Sequence, residues 1–212
     1  MNRRPARVKP DAGPGTREKI LDVAEALIDR HGLEGLRLVD VARAVGIQPP
    51  SIFGHFEGRE AVADAVARRV TDQIFGLVAR ILDEPGADPE RALRRGVRAF
   101  AGHLADHPAH VRLLLRDLAR TRRGADLDLS SPRIAELEVR VGEVLAAGAR
   151  AGVFREVSAA DFMAVVEGAL LAAVGWAGFD DEGRPREQPG RARLQALAEE
   201  VALGFAAARP AR

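Results

Sequence analysis

The chain has no cysteine and no tyrosine, a single tryptophan, and few aromatic residues of any kind. Without cysteine there can be no disulfide framework, thiol nucleophile or thiolate metal site, a usage that suits a reducing cytosol. The scarcity of aromatics and threonines leaves little to build strands from, whereas alanine, leucine, arginine and glutamate, all good helix formers, abound. An all-α protein is the expectation. Long apolar runs are also missing: the most apolar stretch, Asp161 to Trp176, is interrupted by Glu167 and falls short of the roughly 20 residues that span a bilayer. The N-terminus carries charge with no apolar run behind it, so it does not read as a secretory signal. A soluble, cytoplasmic protein with no membrane partner follows as the expectation.

Catalytic signatures are absent in the same way. The chain contains no H-E-x-x-H, no G-x-S-x-G, no P-loop and no G-x-G-x-x-G, and its few serines lie in turn or cap contexts. Neither an enzyme nor a cofactor is expected. The histidines of "GHLADHPAH" invite comparison with a metal site. His103 and His107 are one turn apart, but Pro108 breaks the helix before His110 and no carboxylate or thiol completes a ligand set. A structural helix junction, with no metal, is the better reading.

With a formal net charge of only +1, any contact with nucleic acid must come from charge placed locally. Residues 1 to 19 supply one such place, with Arg3, Arg4, Arg7, Lys9, Arg17 and Lys19 set against Asp11 and Glu18. Residues 1 to 15 are rich in arginine, proline and glycine without periodicity and read as a flexible basic arm, either phosphate-binding or merely solubilising. Order is expected from Thr16, whose hydroxyl can cap a helix carrying Ile20, Leu21, Ala24, Leu27 and Ile28 on one face and ending at Gly32. A short helix over Leu38 to Val45 follows, too brief to stand alone. Gly46 then supplies a sharp bend, and Pro49 and Pro50 fit the first turn of a third helix. Helix, glycine-containing turn and helix is the helix-turn-helix pattern.

A longer helix is expected from Arg59 until "DEPGADP" stops it, and helical patterns resume over about 89–106, 108–122, 132–151, 159–177 and 190–208. About nine helices result, with no internal repeat of the solenoid kind. They divide into the arm (1–15), a helix-turn-helix unit (16–62) and a larger bundle (63–208).

A short helix presented after a tight turn can enter the DNA major groove, about 12 Å wide. Gln48, Ser51 and Ile52 then come near base edges or phosphates, while Ile52 and Phe56, four apart, can be buried against the first helix. The stretch "TREKILDVAEALIDRHGLEGLRLVDVARAVGIQPPSIFGHFEGREAV", Thr16 to Val62, resembles the N-terminal domain of the tetracycline-repressor (TetR) family of transcriptional regulators. The glycine after the first helix, "VDVARAVGI", "PPSIFGHF" and the acidic-then-apolar start of the next helix all fall at matching spacings. The rest of the chain matches only in kind, as a helical regulatory bundle.

The resemblance implies double-stranded DNA as a partner, an inverted-repeat operator, a homodimer and an unidentified small-molecule effector. The DNA contacts it implies are Thr16, Arg17, Arg37, Gln48, Pro49, Pro50, Ser51, Phe53, Gly54, His55 and Arg59. Three of these depart from the family pattern. Arg37 stands near a usual capping threonine or serine, Phe53 stands where a tyrosine hydroxyl commonly meets phosphate, and Gln48 replaces a serine or threonine cap. Phe53 therefore reads as a packing ring, and Gln48 as either a base contact or a cap. For a ligand, Phe100, His103, Arg116, Glu167 and Trp176 are the candidates; for Glu167 and Trp176 the plainer alternatives are a solvent-facing glutamate and a core ring. For a dimer interface they are the small residues Ala169, Ala172 and Ala173 and the stripe Leu194, Leu197, Val201 and Phe205, although such stripes are also ordinary core packing. The rival reading is a helical interaction module whose basic arm binds nucleic acid without sequence preference.

Overall fold

The computed structural model describes residues 15–84, 86–121, 132–175 and 189–208; the expected basic arm, apart from Gly15, and Trp176 lie outside them. The described residues form eight α-helices and two 3₁₀ segments. The chain divides into two compact units, one through Val66 and one from Ala67, four residues later than the expected boundary.

The first unit contains α1 (Thr16–His31), a 3₁₀ turn (Leu33–Gly35), α2 (Leu38–Val45), a 3₁₀ segment (Pro49–Gly54) and the start of α3 (Arg59–Leu82). Its core is made by Ile20, Leu21, Ala24 and Ile28 of α1 closing on Leu36, Val41 and Ala42. Two local expectations are corrected. Thr16 does not cap α1: Gly15 occupies the cap position, no side chain bonds there, and Thr16 is already helical. The expected third helix, Pro49–Gly54, is 3₁₀ rather than α. Pro49 and Pro50 have no N–H to give, and the first bond of the segment is the short-range Ser51 N–H to Gln48 carbonyl at 2.8 Å.

The second unit contains the rest of α3, with α4 (Pro89–Asp106), α5 (Pro108–Thr121), α6 (Pro132–Arg150), α7 (Ala159–Gly175) and α8 (Arg191–Ala206). Prolines open α4, α5 and α6, where a missing N–H costs no hydrogen bond. The Asp88 carboxylate accepts from Arg91 N–H at 2.8 Å, and the Ser158 hydroxyl accepts from Asp161 N–H at 3.0 Å, so α4 and α7 start on real caps. α4 is central, packing on α8, α6, α7 and α5. Its seam with α8 is polar at the rim: Arg94 donates to Glu199 at 2.7 Å, Arg98 donates to the other Glu199 oxygen, and Arg191 pairs with Asp106. Gly148 lets the Phe154 ring lie against α6, where a Cβ would overlap that ring. Phe154 in turn forms a single bridge with Ala207, tying the chain after α8 to the α6–α7 connection. No helix among the described residues is long and apolar enough to cross a membrane.

Candidate nucleic-acid interface and ligand pocket

Gly46 is the pivot of the first unit. At φ +81° it ends α2 in the left-handed region, and Gly46 N–H and Ile47 N–H both return to the Ala42 carbonyl at 3.0 Å. The chain leaves in the right direction for the Pro49–Gly54 segment to pack on α2. Ile52 is fully buried and Phe56 nearly so, and the Arg17 guanidinium sits 4.8 Å above the Phe56 ring. Because those two side chains point inward, Gln48, Pro49, Pro50, Ser51, Phe53, Gly54 and His55 are all exposed. The exposed residues form two short runs, Gln48–Ser51 and Phe53–His55, on either side of the buried Ile52.

The structure sorts the expected contacts. Phe53 is not a packing ring, since 61% of its surface is exposed; the inward positions are already filled by Ile52 and Phe56. Gln48 stands at the cap position of the segment but its amide makes no capping bond, which leaves it free to face a partner. Arg37 holds the matching position before α2, also without a side-chain cap, and lies 3.7 Å from Asp40. Thr16 and Arg17 are exposed in the first turn of α1. Arg59 behaves differently from expectation. Its guanidinium donates to the Leu36 carbonyl at 2.9 Å and the Leu33 carbonyl at 2.7 Å, with Glu34 and Glu60 nearby. Arg59 is a brace for the turn before α2, tying the start of α3 to the Leu33 carbonyl, which also accepts from Leu36 N–H at 3.1 Å, and to the Leu36 carbonyl.

In the second unit a pocket of about 50 Å³ opens between α3, α4, α6 and α7. Phe75 and Val78 come from α3, Val97 and Phe100 from α4, Val141 from α6, and Phe162, Met163 and Glu167 from α7. Gly96 on α4 admits Val78 and Leu82 closely. Of the expected ligand residues, Phe100 and Glu167 are brought together here. Glu167 does not simply face solvent: it is half-buried as the single ionisable lining residue among the described residues, and loss of hydration raises its carboxyl above the usual carboxylate range. His103 and Arg116 do not line the pocket. His103 instead gathers with His107 and His110 around the α4–α5 junction, ring centroids 4.7 to 5.3 Å apart, with His103 Nε2 3.2 Å from His110 Nδ1. The helix break at His107 is as expected, yet it brings the rings together because α5 restarts at once at Pro108. Sequence reasoning missed most of the lining, including Phe75, Val97 and Phe162. An apolar stripe on α4 broken by Gly96 was the available signal.

The α7 and α8 faces are also resolved. Leu194 is fully buried within the chain and is core rather than interface, and α8 turns Ala198, Ala202 and Ala206 inward with it. Leu197, Val201 and Phe205 lie beside this row and are half-buried, Phe205 partly under the Arg155 guanidinium at 4.7 Å. On α7, Ala164, Gly168 and Ala172 are exposed, with Ala169 and Ala173 half-buried.

Two family models match the chain. "Bacterial regulatory proteins, tetR family" covers residues 20–66, and "Tetracyclin repressor-like, C-terminal domain" covers residues 89–174. Among curated proteins, the chain is similar to the HTH-type transcriptional repressor KstR2 of Rhodococcus jostii, 34% identical over 32% of this chain and 33% of that one. It is also similar to the HTH-type transcriptional regulator EthR of Mycolicibacterium smegmatis, 28% identical over 48% and 46%. The chain thus spans between a third and a half of the length of these relatives. Among solved structures, the TetR family regulator PfmR of Thermus thermophilus aligns over 87% of this chain and 97% of its own, with TM-score 0.61 and 22% identity. The KstR2 regulator of Mycobacterium tuberculosis aligns over 96% and 100%, with TM-score 0.56 and 22% identity, a likeness of fold. With a buried-anchor helix-turn-helix in one unit, a helical bundle in the other, and family models matching each, the chain belongs to the TetR family of bacterial transcriptional regulators.

Proposed function

We propose that the chain is a homodimeric repressor that binds an inverted-repeat operator in double-stranded DNA and releases it when a small molecule enters the second unit. The observation that carries this reading is the exposed run Gln48–Ser51 and Phe53–His55, held by the buried Ile52 and Phe56 behind a left-handed glycine turn. Gln48 has the geometry class of an adenine reader, and His55 and the uncapped first turn of α1 suit phosphate. That the KstR2 relative is a transcriptional repressor supports the sign of the regulation.

Dimerisation follows from recognition geometry and from surface. One short reading segment meets too few base pairs to specify a site, and two-fold dimers place theirs about 34–36 Å apart. The exposed small residues of α7, beside half-buried Leu197 and Val201 of α8, suit close helix approach with a second copy. For release, α3 is the lever. Its first turns belong to the DNA-binding unit and Phe75, Val78 and Leu82 line the pocket. Drug-sized ligands occupy about 300–1,000 Å³, so an occupant larger than the present space must part these helices. It acts only through its differential affinity for the two states, and about 1–3 kcal/mol would change operator affinity roughly 5- to 150-fold.

The test is fluorescence anisotropy of the purified protein with DNA from upstream of its own gene and unrelated DNA of equal length, at near-physiological salt. Tight binding to the first alone is expected. Equal and salt-fragile binding to both would instead make the basic arm the only DNA contact.

A further inference from the structure

The pocket of the second unit combines two features that pull in opposite directions. Its walls are hydrocarbon and aromatic, with Phe75 and Phe100 rings tilted at 45° and 6.1 Å apart and Phe162 also in the lining. Glu167 adds a carboxyl to this surface, and among the described residues no hydrogen bond or ion pair engages it. Among the described residues no arginine, lysine or histidine lines the space. A carboxylate there has lost part of its hydration without gaining a partner, which is costly in an apolar environment.

Three kinds of occupant respond differently to that cost. An anion would add repulsion to it. A plain hydrocarbon or an alcohol would remove further water and leave the charge unpaired, or force the carboxyl to remain protonated. A cation would pair with the carboxylate and could lie against the ring faces, which attract positive charge. Resting on the ligand-release reading above, we propose that the α3–α4–α6–α7 pocket takes an organic cation, its ammonium group against Glu167 and its hydrocarbon body between Phe75, Phe100 and Phe162. The raised protonation tendency of Glu167 is the unliganded counterpart of this pairing: an arriving ammonium restores the charged form that burial disfavours. Glu167 then sets the class of effector, while the apolar walls set its size.

The experiment uses the full chain and three probes with one body and different heads: 2-phenylethylamine, 2-phenylethanol and 3-phenylpropionate. Binding is read by isothermal calorimetry and by the shift in Tm, for wild type and E167Q. The amine is expected to bind wild type at least about tenfold more tightly than the alcohol, with the propionate weakest, and E167Q is expected to erase the amine's advantage. E167Q removes a buried charge and keeps the shape, so its own Tm should equal or exceed that of wild type. The proposal is overturned if the alcohol binds as tightly as the amine, if the amine's advantage survives in E167Q, or if none of the probes binds. DNA anisotropy on the same samples separates the two readings. Specific operator binding without an amine preference sinks the cation assignment alone, whereas loss of specific DNA binding sinks the repressor reading whatever the probes do.

Discussion

The two units place their candidate sites on opposite sides of their cores. In the first, Ile52 and Phe56 are buried so that Gln48, Ser51, Phe53 and His55 face outward. In the second, the side chains that build the core also line the pocket, and Glu167 is held among them. An outward surface depends on the anchors behind it and tolerates change in its own residues. An inward one depends on fit, so it responds to single methyl groups and single charges.

The sharpest way to break this contrast is to remove an anchor. Ile52→Ala deletes a fully buried side chain in a small core, a change that costs about 2–5 kcal/mol, and is expected to abolish operator binding although Ile52 itself is inaccessible. Wild-type anisotropy in that variant would show that the segment is held by something else. The second unit offers the complementary test. In Gly148→Ala the new methyl meets the Phe154 ring, an overpacking worth about 1–3 kcal/mol; Tm should fall by several degrees, with operator affinity at 25 °C retained. A smaller and more selective effect is expected from Gln48→Ala. Loss of a good base contact removes about 1–3 kcal/mol of discrimination, so the ratio of specific to non-specific affinity should fall roughly 5- to 150-fold, with Tm unchanged. An unchanged ratio would show that Gln48 makes no base contact.

The same contrast explains what could be read in the sequence. Helix limits were legible because glycine and proline mark them locally: Gly46 after α2 and the prolines that open α4, α5 and α6. The outward position of Phe53 was not, since an apolar ring reads as packing until Ile52 and Phe56 are seen to fill the inward side. In α8 two apolar rows were available. The helix turns the slimmer row inward, Leu194 with Ala198, Ala202 and Ala206, and leaves Leu197, Val201 and Phe205 half-buried beside it. The pocket was legible only at Phe100 and Glu167. A cavity is set by the mutual placement of four helices, and no periodicity in any one of them encodes it.

The smallest expected effects come from two carboxylates of the second unit whose environments differ as the two units do. Glu199 lies on the outer seam of α4 and α8, and its hydrogen bonds from Arg98 and then Arg94 hold its carboxyl below the usual range. Glu167 lies inward, and burial holds its carboxyl above that range. A lowered folded-state pKa contributes stability that is present above the ordinary carboxylate pKa and lost as pH falls through the lowered one. A raised one does the reverse: the folded state is unpenalised below the ordinary pKa, and a cost appears as pH rises through the raised value. Glu199→Gln should therefore remove stability at neutral pH and flatten the acid limb of a Tm-versus-pH curve, by no more than about 1 kcal/mol because its arginine partners are solvent-screened. Glu167→Gln should flatten the decline on the rising side and leave the acid limb unchanged. If both variants shifted the curve in the same direction, the opposition between an outward paired charge and an inward unpaired one would be wrong for this unit.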